Sequence, residues 1–150
     1  MNASLARDEV RTAADHAALA YSETLLAELI DADLLVIDTP MHNFTLPAAL
    51  KAWIDYVVRP HRSFGFSPQG KVPLLKDRPV RVIIACGGRF TGPHPQEDFL
   101  TPYLRYVLGV IGFTDIDFLL LEQMTRPEGQ AAAAGPTEDW IARQLASLAG

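Results

Sequence analysis

The stretch DADLLVIDTPMHNFTLPAALKAWIDYVV, residues 31–58, decides the fold. Its apolar run Leu34-Leu35-Val36-Ile37 is short and continuous, with Asp33 before it and Asp38-Thr39-Pro40 ending it. Such a run reads as a buried strand of a parallel sheet. Pro47 then stands where the first turn of a helix tolerates a missing N–H. Leu50, Trp53, Ile54, Val57 and Val58 recur at helical spacing until Pro60 stops the pattern.

The alternation continues in both directions. Upstream, Ala18, Leu19, Ser22, Leu25, Leu26, Leu29 and Ile30 share one face of a helix running from about Thr12 to Ile30. Downstream, His61 to Pro79 is rich in Gly, Pro and Lys and reads as a long irregular loop, of a length that suggests a functional role. Val80-Arg81-Val82-Ile83-Ile84-Ala85 is the second strand, broken by Gly87-Gly88. Thr101-Pro102 reads as an N-cap and first helical residue; Leu104, Val107, Leu108 and Ile111 line that helix, and Gly112 ends it. Phe113 to Leu121 reads as the third strand, with Ile116, Phe118 and Leu120 alternating. The run Ala131–Ala134 before Gly135-Pro136 reads as a loop or fraying helix end. A last helix starts near Thr137 and is expected to bury Trp140, Ile141, Leu145 and Leu148.

Regular alternation of helix and strand predicts one α/β domain over residues 1–150, with a parallel sheet and right-handed crossovers. Ligands of such sheets sit beyond the carboxyl ends of the strands. The loops after Ile37 and after Ala85 are therefore the places to look.

Composition narrows the function classes. With 49% hydrophobic and 21% charged residues the chain is an ordinary globular one. A net charge of −5 argues against nucleic acid, whose phosphates need a basic face. The single cysteine, Cys86, rules out an internal disulfide and a cysteine-based metal site. The four histidines show no metal-ligand spacing. No apolar stretch approaches a membrane span, and MNASLARDEV carries charge where a signal peptide needs an apolar run, so a reducing cytoplasm is the default compartment.

The first loop, Thr39-Pro40-Met41-His42-Asn43-Phe44-Thr45-Leu46-Pro47, leaves a strand and enters a helix, so backbone N–H groups face whatever binds there. Asn43 supplies a donor and an acceptor, and Met41 and Phe44 supply soft or flat apolar surface. That mixture suits a planar heteroaromatic ring with polar edges. It equally suits a plain turn with a left-handed Asn and two core side chains. The second loop, Ala85-Cys86-Gly87-Gly88, lets a backbone approach a ligand closely, or merely permits a sharp turn.

Taken together, these motifs resemble those of the flavodoxin-like FMN-dependent NADH-azoreductase and NAD(P)H:quinone oxidoreductase family. Pro40-Met41-His42-Asn43-Phe44 is similar to its Pro-Met-Tyr-Asn-Phe, with Leu50-Lys51 and Ile54-Asp55 following in the helix. Ala85-Cys86-Gly87-Gly88 stands for Ser-Arg-Gly-Gly. Thr101-Pro102-Tyr103-Leu104, Leu108-Gly109-Val110-Ile111-Gly112 and Thr114-Asp115 complete the likeness. The resemblance implies a flavodoxin-like three-layer sandwich. It implies FMN bordered by Met41, His42, Asn43 and Phe44 and read at its edge by Ala85, Cys86, Gly87 and Gly88. NADH or NADPH would be the co-substrate and a quinone or azo compound the acceptor, in a ping-pong cycle with no catalytic side chain. Phe66, in the long loop, and Val110 would lie near the acceptor.

The chain also departs from that pattern. His42 replaces Tyr and adds a group titrating near neutrality. Ala85-Cys86 replaces Ser-Arg and removes a cation from the ring's edge. Val110 stands where relatives can carry an aromatic wall. The family's opening strand-helix-strand unit, with its Ser-rich phosphate loop, has no match here. FMN binding is expected to be weakened, and Leu34–Ile37 to lack a neighbour and invite pairing with a second copy or a complementing N-terminal chain. A non-catalytic flavodoxin-like subunit acting in assembly without flavin is the competing reading. Of the remaining polar residues, Arg59, His61 and Arg62 read as a solvated helix end, His16 as a surface helix residue, His94 as a loop residue, and Cys86 as a small buried hydrophobe.

Overall fold

The apolar segment Val80–Ala85 is the middle strand of the sheet. In the computed structural model, which describes residues 10–149, Val80–Ala85 lies between Leu35–Pro40 and Ile116–Leu121. The elements in chain order are α1 (Ala13–Asp31), β1 (Leu35–Pro40), α2 (Ala48–Val57), β2 (Phe64–Ser67), β3 (Gly70–Pro73), β4 (Val80–Ala85), α3 (Leu100–Ile111), β5 (Ile116–Leu121) and α4 (Pro127–Leu148). β1, β4 and β5 form a parallel sheet in the order β1-β4-β5, with Ile37 beside Val82 and Val82 beside Phe118. All three strands therefore end on the same side.

One face of the sheet carries the core. Ile37, Val80, Val82, Ile84 and Ile116 pack in one cluster with Leu26 and Leu29 of α1, Ile54 and Val57 of α2, and Leu100, Leu104, Leu108 and Ile111 of α3. Gly112 caps α3 at φ 120, as its place in the sequence indicates. Thr12 caps α1 through a reciprocal bond pair with Asp15, a device that satisfies two orphan donors at once. The opposite face meets α4, where Gln144 donates to Asp117 at 2.5 Å.

Five expectations need correction. First, β1 runs on through Asp38-Thr39-Pro40 and is buried on one face only. It pairs with β4 alone among the described residues, so Val36 is 55% exposed. Second, His61–Pro79 is not irregular: it holds the antiparallel hairpin β2–β3, in which Phe64 pairs with Pro73 and Ser67 with Gly70. A hairpin of four-residue strands is too short to show its period in sequence.

Third, Asp98, not Thr101, caps α3. Its carboxylate accepts from the N–H groups of Leu100 and Thr101, each at 3.0 Å. Fourth, α4 starts at Pro127 and runs through Ala131–Ala134 and Pro136. Alanine is the best helix former, and the Thr137 hydroxyl donates to the Ala133 carbonyl in the turn that Pro136 disturbs. Fifth, of the side chains expected to be buried on α4, only Trp140 is; Ile141, Leu145 and Leu148 are exposed. No helix among the described residues is long and apolar enough to cross a membrane.

Candidate active site

The loops after β1, β4 and β5 meet at the carboxyl ends of the strands. The Met41 N–H donates to the Ala85 carbonyl at 2.8 Å, which carries the β1–β4 ladder one step past Pro40. The Cys86 N–H donates to Leu121, and the Met124 N–H to Cys86, both at 2.9 Å. The Gln123 N–H reaches the Gly88 carbonyl, also at 2.9 Å. The parallel register thus delivers the two expected loops side by side and brings a third, residues 122–126, against the glycine pair.

Within the first loop, His42 and Thr45 exchange backbone bonds of 2.8 and 3.0 Å. This closes a tight turn with Asn43 at φ 47 and Phe44 at φ 68 on its tip. The left-handed Asn was legible; the left-handed Phe was not. A bulky residue there is strained, and such strain gathers at functional sites. Asn43 and Phe44 are both exposed. The Asn43 carboxamide has no partner among the described residues, so a donor and an acceptor remain available at the tip.

The second loop has no spare room for side chains. A Cβ on Gly88 would lie 2.7 Å from Cδ of Gln96, and one on Gly87 would lie 3.3 Å from Cγ2 of Thr125. The Gly87 N–H has no acceptor among the described residues. Cys86 lies beneath, 4% exposed, with Sγ 3.4 Å from the Gly88 carbonyl. Burial, then the charge of Glu122, pushes its thiol pKa above the ordinary cysteine range. It is a small buried side chain, as expected, rather than an activated nucleophile.

Phe66 and Val110 lie away from the strand tips. Phe66 is 65% exposed and edge-on to Phe64, with ring centroids 5.4 Å apart. Val110 is half-buried and borders an open cavity of about 560 Å³ with Lys71, Pro73, Arg105, Tyr106 and Gly109. Neither lines the cavity beside Gly87 and Gly88. The expected solvated cluster near Pro60 also resolves differently. Arg59 is buried and bonds Ser22 and Glu23 at 2.8 and 2.9 Å, while Arg62 pairs with Glu23 at 2.5 Å. These contacts tie α2 to α1. His61 stays exposed, at φ 64.

Sequence reading missed Gln96, Gln123, Arg89 and Arg126. Gln96 donates from Nε2 to the Met41 sulfur at 3.3 Å, and Arg89 donates to Oε1 of Gln123 at 3.0 Å. All four sit in loops without periodicity, so only the chain's return path could reveal them.

Comparison with known proteins agrees with this arrangement. The profile of a family described as having a flavodoxin-like fold matches residues 1–143. An "FMN-dependent NADH:quinone oxidoreductase 2" of Cupriavidus pinatubonensis is 56% identical over 79% of this chain and 58% of its own length. An "FMN-dependent NADH:quinone oxidoreductase 4" of Pseudomonas fluorescens is 59% identical over 67% of this chain and 50% of its own length. The chain thus spans about half the length of these relatives. Among solved structures, the azoreductase AzrA superposes with a TM-score of 0.80 at 25% identity, covering 92% of this chain and 69% of that one. An FMN-dependent NADH-azoreductase from Bacillus anthracis, solved in complex with FMN, superposes with a TM-score of 0.75 at 25% identity, covering 89% and 66%. On the match across residues 1–143, the chain belongs to the flavodoxin-like fold family.

Proposed function

We propose that this chain works as an FMN-dependent oxidoreductase that takes electrons from NADH and passes them to quinones or azo compounds. The observation that carries the reading is the convergence of the Met41–Phe44 and Gly87–Gly88 loops at one end of the sheet. The names of the relatives, FMN-dependent NADH:quinone oxidoreductases and an azoreductase in complex with FMN, support it.

The residues present suit a flavin ring. The Gly87 N–H is unclaimed, and Asn43 offers a free carboxamide. Phe44, 56% exposed at the turn tip, offers a flat apolar surface. Bound FMN supplies the two-electron relay, which no side chain here can replace. The chain's part is to bind and orient. Gly87, Gly88 and Asn43 would satisfy the ring's polar edge, with Ala85 and Cys86 beneath. Met41, His42 and Phe44 would border its face. Phe66 and Val110, which lie away from the strand tips, take no part in this arrangement within one copy of the chain.

We also propose association with a second polypeptide along β1, either another copy of the chain or a strand-bearing partner. Val36 at 55% exposure on β1, which pairs with β4 alone among the described residues, supports this, since an open edge with an exposed apolar side chain favours pairing.

The test is direct. Purified protein mixed with FMN is expected to retain yellow colour through gel filtration and to oxidise NADH when a benzoquinone is added. A protein that stays colourless and leaves NADH untouched refutes the reading and favours the flavin-free assembly role.

A further inference from the structure

Beside the glycine pair lies a cavity of about 410 Å³ with a markedly one-sided charge. Gly87, Gly88, Arg89, His94, Gln123 and Arg126 line it, and no carboxylate does. This is unusual in a chain of net charge −5. We propose that the cavity is a binding site for a phosphate- or sulfonate-sized anionic group carried by one of the two redox substrates. The guests with that chemistry are the diphosphate of the nicotinamide dinucleotide and the sulfonate of an anionic acceptor. The proposal rests on the oxidoreductase reading for the identity of its guest, not for the existence of the site.

The two arginines differ from most others in the fold. Arg59, Arg62 and Arg81 each pair with an acidic side chain, and Arg78 binds the carbonyls that end α1. Arg126 has no side-chain bond of any kind among the described residues. Arg89 is held by a neutral partner, Gln123, which fixes its guanidinium without neutralising it. A guanidinium so placed keeps its forked donors for a tetrahedral anion. Arg126 also stands at the N-cap of α4, where the helix dipole adds positive potential. The Gly87–Gly88 backbone borders the same cavity, so an anion held by the two arginines would lie beside the loop proposed to read the flavin edge. The loops that frame it are tied together by the Gln123–Gly88 and Gln96–Arg89 backbone bonds, at 2.9 and 2.8 Å. The loop backbone and the Arg89 guanidinium are therefore set before any ligand arrives, which limits the ordering cost of binding to the Arg126 side chain.

The site's position narrows how it is used. It adjoins the loop proposed to read the flavin edge, so a substrate held by its anionic group would be tethered next to the ring. The chain lacks the expected cation at Cys86, and Arg89 lies three residues further along the same loop. Such tethering raises the effective concentration of the reacting end without taking part in the chemistry.

Calorimetric titration of the full chain with inorganic pyrophosphate tests the site itself. Arg126→Gln removes an exposed side chain that makes no hydrogen bond or ion pair among the described residues, so folding is expected to be preserved; Arg89→Gln is the second variant. Arg143→Gln, on the outside of α4, is the control. Saturable binding is expected, weakened about ten-fold by each cavity substitution and unchanged by the control. Absence of saturable binding, or an equal loss in the control, overturns the proposal. With FMN-loaded protein, a raised KM for NADH in the variants assigns the dinucleotide. A raised KM for a sulfonated quinone, with an unsulfonated quinone unaffected, assigns the acceptor. If neither KM moves, the proposal is wrong. FMN binding is followed separately by quenching of flavin fluorescence, so a failure of the flavin reading shows itself independently of the pyrophosphate result.

Discussion

Gln96 donates its carboxamide N–H to the Met41 sulfur at 3.3 Å, and this contact joins the loop after β4 to the loop after β1. The same side chain fills the space in front of Gly88, with Cδ 2.7 Å from where a Cβ would stand. One residue therefore touches the loop after β1 and occupies the space in front of position 88.

Gly88→Ala is expected to displace the end of Gln96 rather than any backbone. Stability should fall by less than about 1 kcal/mol, because a flexible side chain can swing away. Affinity for FMN should fall about ten-fold or more, since the methyl group and the displaced carboxamide both intrude on the loop. Urea melts and flavin fluorescence titration measure the two effects on one sample.

Gly112→Ala provides the contrasting case. Gly112 has φ 120, and a Cβ there would lie 2.6 Å from the Leu75 carbonyl oxygen, a backbone atom. The substitution is expected to cost about 1–3 kcal/mol through left-handed strain and the displaced chain. Surviving folded protein should bind FMN as the wild type does.

Glu23 supplies a pH test. Its partial burial pushes the carboxyl up, but bonds to Arg62 and Arg59 outweigh this and hold it below the ordinary value of 4.5. A carboxylate with a lowered folded pKa contributes stability above its unfolded pKa and loses it as pH falls through the folded value. Glu23→Gln should therefore destabilise the protein at neutral pH. The gap from wild type should close as pH falls below the ordinary value of 4.5 and through the lowered folded one. Denaturant melts across that range read the difference.

Cys86 is expected to resist thiol reagents in the folded state. It is buried, and its pKa is raised by desolvation and then by Glu122. Alkylation should be slower than in the unfolded chain by at least about ten-fold, because only the exposed thiolate reacts. A timed reaction with a maleimide, with and without denaturant, checks this.

The legible parts of this protein were those with a strong local signal. Val80–Ala85 is apolar at every position but Arg81 because it is the middle strand, and its bounds could be read directly. Gly112 marked its helix end because only glycine sits easily at φ 120. Non-local features were hidden. The exposure of Val36 depends on what pairs with β1, and that of Leu145 on what packs against α4. Neither is written in their neighbours. Within the site, Met41–Phe44 and Gly87–Gly88 stood out by motif, whereas Gln96 and Arg126 reach it only through the path of two loops.

The central claim is that the Met41–Phe44 turn and the Gly87–Gly88 turn hold one flat ligand between them. Amide NMR of labelled protein titrated with FMN tests it most directly. Saturable shifts concentrated at Met41, Asn43, Phe44, Gly87 and Gly88 are expected, moving together with a single affinity. Shifts confined to one loop, or clustered elsewhere on the molecule, would contradict it.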